Sequence, residues 1–339
     1  TPTWLAPADL TRLIHGIREA MRPTADAEWS IEVDPRSVDR DYMALLLELG
    51  FNRFSFGVQD LKADVMAAVG RKQGVDEVRA AVEAVGPLPF NLDLMYGLPL
   101  QTTTSLLETI DEALTLGPSR IALFGYAHVP WLKKQQRGME RHGLPGDQAR
   151  LSMALAARAH LVKAGYVAIG IDHFARPDDE LAIARMRGGL HRNFMGYTVR
   201  PDLDLVALGV SGISQVAGTL TQNDKEVPTW RATIADGKPA WARTLQSSPD
   251  DVLRSAVIMD LMCHFAIDKH AISARFGIDF DQHFDAERAQ LTPLIGDGLV
   301  LDTPDRLQLS DLGELVVRNV AMIYDARLGQ TDARYSRTV

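Results

Sequence analysis

Between residues 30 and 175, short β-rich runs alternate with helical patterns. This alternation constrains the fold more than any other feature, because it is typical of strand–helix units around a parallel sheet. It predicts strands at 30–33, 54–58, 90–94, 121–124 and 166–171. Four helices are predicted. The first begins at Ser37 and the second covers 75–85. The third begins at Ser105, with Glu108 completing a capping box, and the fourth covers 147–163. Such units fit a TIM-type barrel or a doubly wound sheet.

In both architectures the chemistry gathers at the carboxyl ends of the strands. Glu32 and Asp34 form a carboxylate pair there, able to act as acid and base, to hold hydroxyl or amino groups, or simply to end a strand in solvent. The other polar residues at predicted strand ends are Gln59, Asp60, Asp93, Tyr126, His128, Asp172 and His173. A histidine taken singly is more often a hydrogen-bonded structural residue than a catalyst.

Asp93 interrupts an otherwise largely apolar run, in a place where a central parallel strand is nearly all apolar. A buried carboxylate needs a partner, so Asp93 is predicted either to bind a ligand or to accept backbone N–H bonds in the core. Gln59 offers a donor and an acceptor, and Arg71 is a permanent cation. The chain has no GxGxxG or P-loop pattern, which argues against dinucleotide or nucleoside triphosphate binding.

The 339 residues include 36 Lys and Arg and 44 Asp and Glu, a net charge of -8, which disfavours nucleic acid as a main partner. No apolar run has the length of a membrane span and no signal-peptide layout is present, so a cytoplasmic protein is expected. Cys263 is the single cysteine and cannot alone ligate zinc or an iron–sulfur cluster. No metal ligands are therefore predicted, and Cys263 is expected to be a buried, inert thiol.

From about residue 246 the pattern changes to longer apolar helices. A helix over 252–265 precedes a predicted hairpin, whose strands cover 298–302 and 307–309 around a Pro-Asp turn. This pattern predicts a mainly helical, winged-helix-like cap and hence two domains, 1–245 and 246–339. The last helix lacks a basic stripe, so packing is expected rather than DNA binding.

Ordered strings along the whole chain resemble one family. The strings IEVDP (31–35), GFNRFSFGVQD (50–60), DLMYGLP (93–99) and YAHVP (126–130) are similar to the radical S-adenosylmethionine (SAM) coproporphyrinogen dehydrogenases. DHFARPDDELA (172–182) and HRNFMGYT (191–198) resemble the true oxidase more than its haem-chaperone relative. That relative has an Asn-Phe-Ala-Arg-Pro version and a Gly-Ala-His-Ser element where this chain has GVSGIS (209–214). The final YSRTV (335–339) also resembles the family.

The resemblance implies oxygen-independent oxidative decarboxylation in haem biosynthesis. Two propionates of coproporphyrinogen III become vinyl groups, giving protoporphyrinogen IX through a SAM-derived deoxyadenosyl radical. It further implies two SAM molecules, a 4Fe–4S cluster, an electron donor and a monomer. Glu32 and Ile213 match contacts to the SAM on the cluster. The residues that match contacts to a second SAM are Thr1, Gln59, Arg71, Asp93 and Ala127.

Arg176 or Arg192, helped by His173 and Tyr197, is predicted to hold carboxylates of the substrate. The planar fork of arginine matches a carboxylate, and His and Tyr add donors. Arg176 is predicted just past the fifth strand, on the side where a barrel binds its ligands. In the alternative interpretation Arg176 pairs with Asp178 or Asp179, and Arg192 with Glu180, without touching substrate.

The sequence departs from the family at its start. Thr1-Pro2-Thr3 resembles the end of the family's triple-glycine element, so the first strand and the cluster cysteines would precede Thr1. We therefore expect an α/β fold with a partial (β/α)6 radical-SAM barrel lacking its first two units, inactive as it stands. The alternatives are the haem-chaperone relative, a catalytically silent haem- or porphyrin-binding protein, and an unrelated TIM-barrel hydrolase.

Overall fold

The computed structural model describes residues 1–201 and 203–328, so the terminal string at 335–339 lies outside the described residues. Contacts divide the chain into a first unit, Thr1 to Ala182, and a second unit that begins at Ile183. The predicted division between residues 245 and 246 stays a prediction.

The first unit is built from strands that alternate with helices, as predicted. Its strands are β1 (Ser30–Val33), β2 (Arg53–Gln59), β3 (Phe90–Tyr96), β4 (Arg120–Gly125), β5 (Val167–Gly170) and β6 (His173–Ala175). Its helices are α1 (Pro7–Met21), α2 (Arg40–Glu48), α3 (Ala63–Ala68), α4 (Val75–Val85), α5 (Thr103–Thr115), α6 (Arg137–Glu140) and α7 (Asp147–Lys163). Helix α8 (Glu180–Arg187) spans the boundary between the units.

One sheet joins the six strands in the order β1-β2-β3-β4-β6-β5. Strands β1 to β4 are parallel neighbours, which confirms four of the five predicted strands in place and direction. Their helices bury apolar faces on one side of the sheet, in a core that includes Met43, Leu46, Val82, Ile110 and Leu161.

The fifth predicted strand is confirmed in place as β5, but the strand that lies between it and β4 was not predicted. The run at 166–171 gives β5 only, and the chain then turns at Ile171, whose φ is 49°, into the short strand β6. Strand β6 pairs antiparallel with both β4 and β5, so it lies between them. Three residues carry too little periodicity to predict a separate strand, and the reversal therefore went unseen.

Two predicted helix starts were also wrong, and both errors have the same cause. Helix α2 begins at Arg40, because Asp39 rather than Ser37 accepts the hydrogen bond from an N–H of its first turn. Helix α5 begins at Thr103, and its capping box joins Thr102 and Ser105. Several consecutive polar residues can each cap a helix, and the sequence does not choose among them.

Strands β2 and β3 bury one face of the sheet more fully than the other. In β2 and β3 the apolar residues alternate with half-buried ones, so that Phe54, Phe56, Leu92 and Leu94 face the core. Asp93 therefore does not interrupt a core strand, as the sequence suggested, but lies on the opposite, open face. We refer to this face below as the open face of the sheet.

The second unit contains short antiparallel sheets and helices. Its strands are β7 (His191–Asn193), β8 (Gly196–Thr198), β9 (Ile213–Val216), β10 (Thr219–Asn223), β11 (Trp241–Gln246), β12 (Ala266–Asp268), β13 (Val300–Asp302) and β14 (Arg306–Leu309). Its helices are α9 (Val227–Ala235), α10 (Pro249–His264), α11 (Lys269–Phe276), α12 (Phe280–His283), α13 (Asp285–Gly296), α14 (Asp311–Leu315) and α15 (Val317–Ile323).

The predicted helix near 252–265 and the hairpin after it are confirmed as α10 and the pair β13–β14, while the winged-helix character of this part stays a prediction. Over residues 1–201 and 203–328, none of the helices has both the length and the apolar character needed to cross a membrane.

Candidate functional site

Strand register brings side chains of the open face into two rows. The upper row runs across β2, β3, β4 and β6 through Gly57, Asp93, Ala122 and His173. The lower row, one step toward the amino ends, runs from β1 to β6 through Glu32, Ser55, Asn91, Arg120 and Ala175. The residues on both sides of Asp93 in the upper row, Gly57 and Ala122, are small.

Asp93 is held by side chains rather than by backbone. Asn91 donates through Nδ2 to Oδ1 of Asp93 at 2.7 Å, and the Ser55 hydroxyl approaches Oδ2 at 3.4 Å. Burial raises the pKa of Asp93 to about 6, the negative charge of Glu32 adds to the rise, and the bonds from Asn91 and Ser55 oppose it. The carboxylate is thus mostly charged at neutral pH and can accept hydrogen bonds from a cation or from hydroxyl groups.

Asp60 differs from Asp93 although it follows the neighbouring strand. It is 0% exposed and accepts from the backbone N–H groups of Leu61 and Lys62, at 2.6 and 2.8 Å. Gln101 and Thr109 donate to it at 2.7 and 2.8 Å. With both oxygens satisfied inside the protein, Asp60 is a structural carboxylate that fixes the chain after β2.

Asp34, the second carboxylate of the predicted pair, is buried and anchors two arginines. It accepts from Nε and Nη2 of Arg36 at 3.0 and 2.6 Å and from Nη2 of Arg71 at 3.1 Å. Burial alone would raise the pKa of Asp34, but the bonds from Arg36 and the charge of Arg71 hold it below its ordinary value. Glu32 is exposed, so the two members of the pair have separate environments.

Arg71 is already bound on one side. Its Nη2 donates to the carbonyl oxygen of Gly57, to Asp34 and to Gln73, and its Nε also donates to Gln73. Its Nη1 makes no hydrogen bond to the part of the chain that the structure describes. Among the described residues, Nη1 is therefore the nitrogen of Arg71 that is left for an anion.

Gln59 ends β2 at an irregular position. The register to β3 shifts between Gly57 and Gln59, and the φ angle of Gln59 is 73°, which is uncommon for a residue other than glycine. A Cβ on Gly57 would lie 3.2 Å from Nε2 of Gln59, so the glycine keeps the space beside this side chain open. Such backbone strain is often found at binding sites.

The loop after β4 is held by its own side chains. Gln136 donates to the carbonyl oxygen of Ala127 at 3.0 Å and accepts from the N–H of Val129 at 2.7 Å. His128 bonds to Glu140 at 3.0 Å through Nε2, and its Nδ1 lies 3.4 Å from the hydroxyl of Tyr126. His128 is therefore a hydrogen-bonded structural residue, and the rigid loop fixes the backbone of Ala127. Thr1 is exposed.

The predicted position of Arg176 was wrong. Because β6 runs antiparallel to β4, Ala175 pairs with Arg120 at the amino end of the parallel strands. Arg176 follows there, exposed, and pairs with Asp178 at 3.1 Å, as the alternative interpretation stated. The second proposed pair, Arg192 with Glu180, was wrong, since Glu180 pairs with Arg120 at 3.0 Å and with Arg53.

In the second unit, Arg192 and Tyr197 face each other across the hairpin β7–β8. The guanidinium of Arg192 stacks over the ring of Tyr197 at 4.9 Å, and the Tyr197 hydroxyl donates to the carbonyl oxygen of Met262 at 2.8 Å. The buried Nη1 of Arg192 has no hydrogen-bond partner among the described residues. Ile213 begins β9, which pairs with β10.

Comparison with known proteins decides the family. Residues 247–316 match the HemN C-terminal domain, and residues 4–113 match the radical SAM superfamily. Curated proteins named oxygen-independent coproporphyrinogen III oxidase from Pseudomonas aeruginosa and Escherichia coli are 41% and 39% identical to this chain. These alignments cover 100% and 97% of this chain and 75% and 73% of the two relatives.

The chain belongs to the oxygen-independent coproporphyrinogen III oxidase family. The solved structure of coproporphyrinogen III oxidase (HemN) from Escherichia coli, described as a radical SAM enzyme, matches with a TM-score of 0.93 and 39% identity. That match covers 97% of this chain and 76% of the other. The α/β radical SAM fold that the sequence predicted is thereby confirmed. The relatives' names also favour the oxidase over the haem-chaperone, silent binding and hydrolase alternatives.

Membership of this superfamily implies SAM and a 4Fe–4S cluster. The residues of the open face fit SAM. Acceptors on Glu32 and Asp93 suit its ammonium or hydroxyl groups, Nη1 of Arg71 suits its carboxylate, and Gly57 leaves space between them.

The residues of this chain do not fit the cluster. Cys263 is 1% exposed, and burial raises the pKa of its thiol to about 12, so it is not a thiolate ligand. The prediction that this cysteine is buried is confirmed. In residues 1–201 and 203–328 no group of three or more His, Cys, Asp or Glu is arranged to hold a metal ion.

Sequence reasoning missed Ser55 and Asn91, which hold Asp93. A signal was present, because Asn91 and Asp93 are two residues apart in one strand and therefore share a face. The partner Ser55 is 36 residues from Asn91, and only the pairing of β2 with β3 brings them together.

Proposed function

We propose that this chain is the SAM- and substrate-binding part of an oxygen-independent coproporphyrinogen III oxidase, which converts two propionates of coproporphyrinogen III into vinyl groups. The observation that carries the proposal is the open face of the sheet. There Asp93, half-buried between Gly57 and Ala122, carries a charge that nothing in the row neutralises. A ligand with a cation or paired hydroxyls would satisfy it.

The proposal assigns two SAM molecules by family position. Glu32 and Ile213 would contact the SAM that is bound to a cluster. The other SAM would be held by Thr1, Gln59, Arg71, Asp93 and Ala127. For this second ligand the chain supplies charge at two points, a carboxylate at Asp93 and a guanidinium nitrogen at Arg71. SAM, when bound, supplies the oxidising chemistry.

For the substrate we propose that Arg192 anchors a propionate, with His173 and Tyr197 as further donors. Support comes from the buried Nη1 of Arg192, which lacks a partner among the described residues, and from His173, which shares the upper row with Asp93. A partial (β/α)6 barrel with a winged-helix-like cap, and domains 1–245 and 246–339, complete the proposal. We further propose a cytoplasmic monomer that takes electrons from a separate donor.

Arg71→Ala tests the SAM site. We expect this chain, which has no cluster ligands, to bind one SAM, and Arg71→Ala to weaken that binding about 10- to 100-fold. The physical reason is the loss of one charge-assisted hydrogen bond, worth about 1.5–3 kcal/mol. Equilibrium dialysis with labelled SAM measures both the stoichiometry and the affinity.

Lys72→Ala is the matched control, because it removes an exposed positive charge from the adjacent position. Its affinity should stay within about twofold of the parent's, since exposed charges are well screened. If the parent binds no SAM, or if Arg71→Ala binds it as tightly as the parent while remaining folded, the assignment is wrong.

A further inference from the structure

Asn91 joins the two rows of the open face. Its Nδ2 donates to Oδ1 of Asp93 at 2.7 Å and to Oγ of Ser55 at 2.8 Å. The Ser55 hydroxyl reaches the other oxygen of Asp93 at the longer distance of 3.4 Å. Asn91 therefore makes the short contact to this carboxylate, and Ser55 orients the amide from the far side.

We propose that Asn91 is a positioning residue for Asp93, holding the carboxylate in one orientation and in its charged form for the ligand group that it binds. The inference rests on the proposed SAM site but assigns a role to a residue outside it. Asn91 acts through Asp93 and is not placed in contact with the ligand.

The surroundings of Asp93 otherwise favour its neutral form. Glu32 on β1 is the charged group that faces it and repels a second negative charge, and burial acts in the same direction. Its row neighbours, Gly57 on β2 and Ala122 on β4, carry no charge, and His173 on β6 lies one strand further away. The hydrogen bonds from Asn91 and Ser55 are what oppose protonation.

The orientation of the Asn91 amide agrees with this role. With Nδ2 turned toward Asp93, the amide oxygen Oδ1 is buried and has no partner among the described residues. A buried acceptor without a donor is unfavourable, so the contact to Asp93 must outweigh it. A charged carboxylate is a strong acceptor and meets that condition, whereas a protonated Asp93 would favour the reversed amide.

The test is a pH titration of Asp93 in the ligand-free protein. The carboxyl carbon signal is monitored by NMR on the chain labelled at aspartate, and Asp93→Asn identifies the signal of Asp93. Asn91→Ala should raise the midpoint by about one pH unit, because a short hydrogen bond to the charged form is lost. Ser55→Ala, which removes the longer contact, is the matched control and should raise it by less than half as much. An unchanged midpoint in Asn91→Ala would overturn the inference.

A second measurement follows SAM affinity from pH 5.5 to 9 by equilibrium dialysis. If the midpoint moves up one unit, Asn91→Ala should bind SAM about fivefold more weakly than the parent near pH 6 and regain its affinity at pH 9. An equal loss at every pH would indicate direct contact or damage to the fold and would also overturn the inference. A parent that binds no SAM at any pH would instead refute the proposed site, while the NMR midpoint still tests the action of Asn91 on Asp93.

Discussion

At the scale of single residues, the number of donors around a carboxylate determines its role. Asp60 has four donors within 2.8 Å and is fully enclosed. Asp93 has one short donor, Asn91, and faces the negative charge of Glu32. The same side chain is thus a fully satisfied structural carboxylate after β2 and a carboxylate with one short donor in β3. A substitution at Asp60 should therefore lower the stability of the protein, whereas a substitution at Asp93 should raise its stability and weaken ligand binding.

We predict that Asp93→Asn stabilises the ligand-free chain at pH 8 while weakening SAM binding. The folded pKa of Asp93 is about 6 and lies above the ordinary aspartate pKa of 3.8, so its ionisation disfavours folding. That destabilisation is absent below about pH 4, grows as the pH rises to 6, and is complete above it. The variant should therefore gain up to about 3 kcal/mol over the parent between pH 4 and pH 8.

Urea denaturation of both proteins across this range measures the difference in unfolding free energy. Asp64→Asn, at an exposed position, serves as control and should show no comparable gain. A difference between Asp93→Asn and the parent that stays constant from pH 4 to pH 8 would contradict the prediction.

At the scale of elements, the reversal between β5 and β6 decides which arginine can meet a ligand. Had the fifth strand continued as one parallel element, Arg176 would have reached the carboxyl ends of the sheet. Because β6 runs the other way, Arg176 instead joins the ion pairs at the amino ends, next to those of Arg53 and Arg120. The Arg176–Asp178 pair is exposed on both sides, and exposed pairs contribute little to stability or binding.

The two arginines therefore make a matched pair of variants. Arg192→Ala should weaken binding of coproporphyrinogen III tenfold or more, because it removes a charged donor whose Nη1 lacks a protein partner among the described residues. Arg176→Ala should change the affinity less than about twofold. Anaerobic equilibrium binding measures both, and circular dichroism checks the fold. Equal losses in the two variants, or a loss in Arg176→Ala alone, would refute the assignment.

At the scale of the whole molecule, this chain carries residues suited to SAM but no set of cluster ligands. One cysteine can supply one thiolate at most, and Cys263 is buried as a thiol. We predict that anaerobic reconstitution with iron and sulfide yields no stoichiometric cluster and that the chain does not cleave SAM. Mössbauer spectroscopy and an assay for deoxyadenosine measure the two outcomes, with Cys263→Ser as a control that should behave as the parent does. A full 4Fe–4S signal from residues 1–339 would contradict the prediction.

What the sequence determined by itself were the features that depend on near neighbours. The alternation of apolar residues identified β1 to β4 and placed α4 and α7 correctly, since local periodicity decides which side chains can be buried together. The ordered strings identified the family in the same way, because each string is a local property of the chain.

Only the tertiary structure decided which polar groups meet. The side-chain donors to Asp60 come from Gln101 and Thr109, 41 and 49 residues away, and Arg71 reaches Asp34 across 37 residues. No spacing in the sequence encodes such pairs, because they depend on the register between strands and on the direction of β6. The same register brings Ser55 and Asn91 beside Asp93 on the open face of the sheet, whereas Asp60 is enclosed by its own donors.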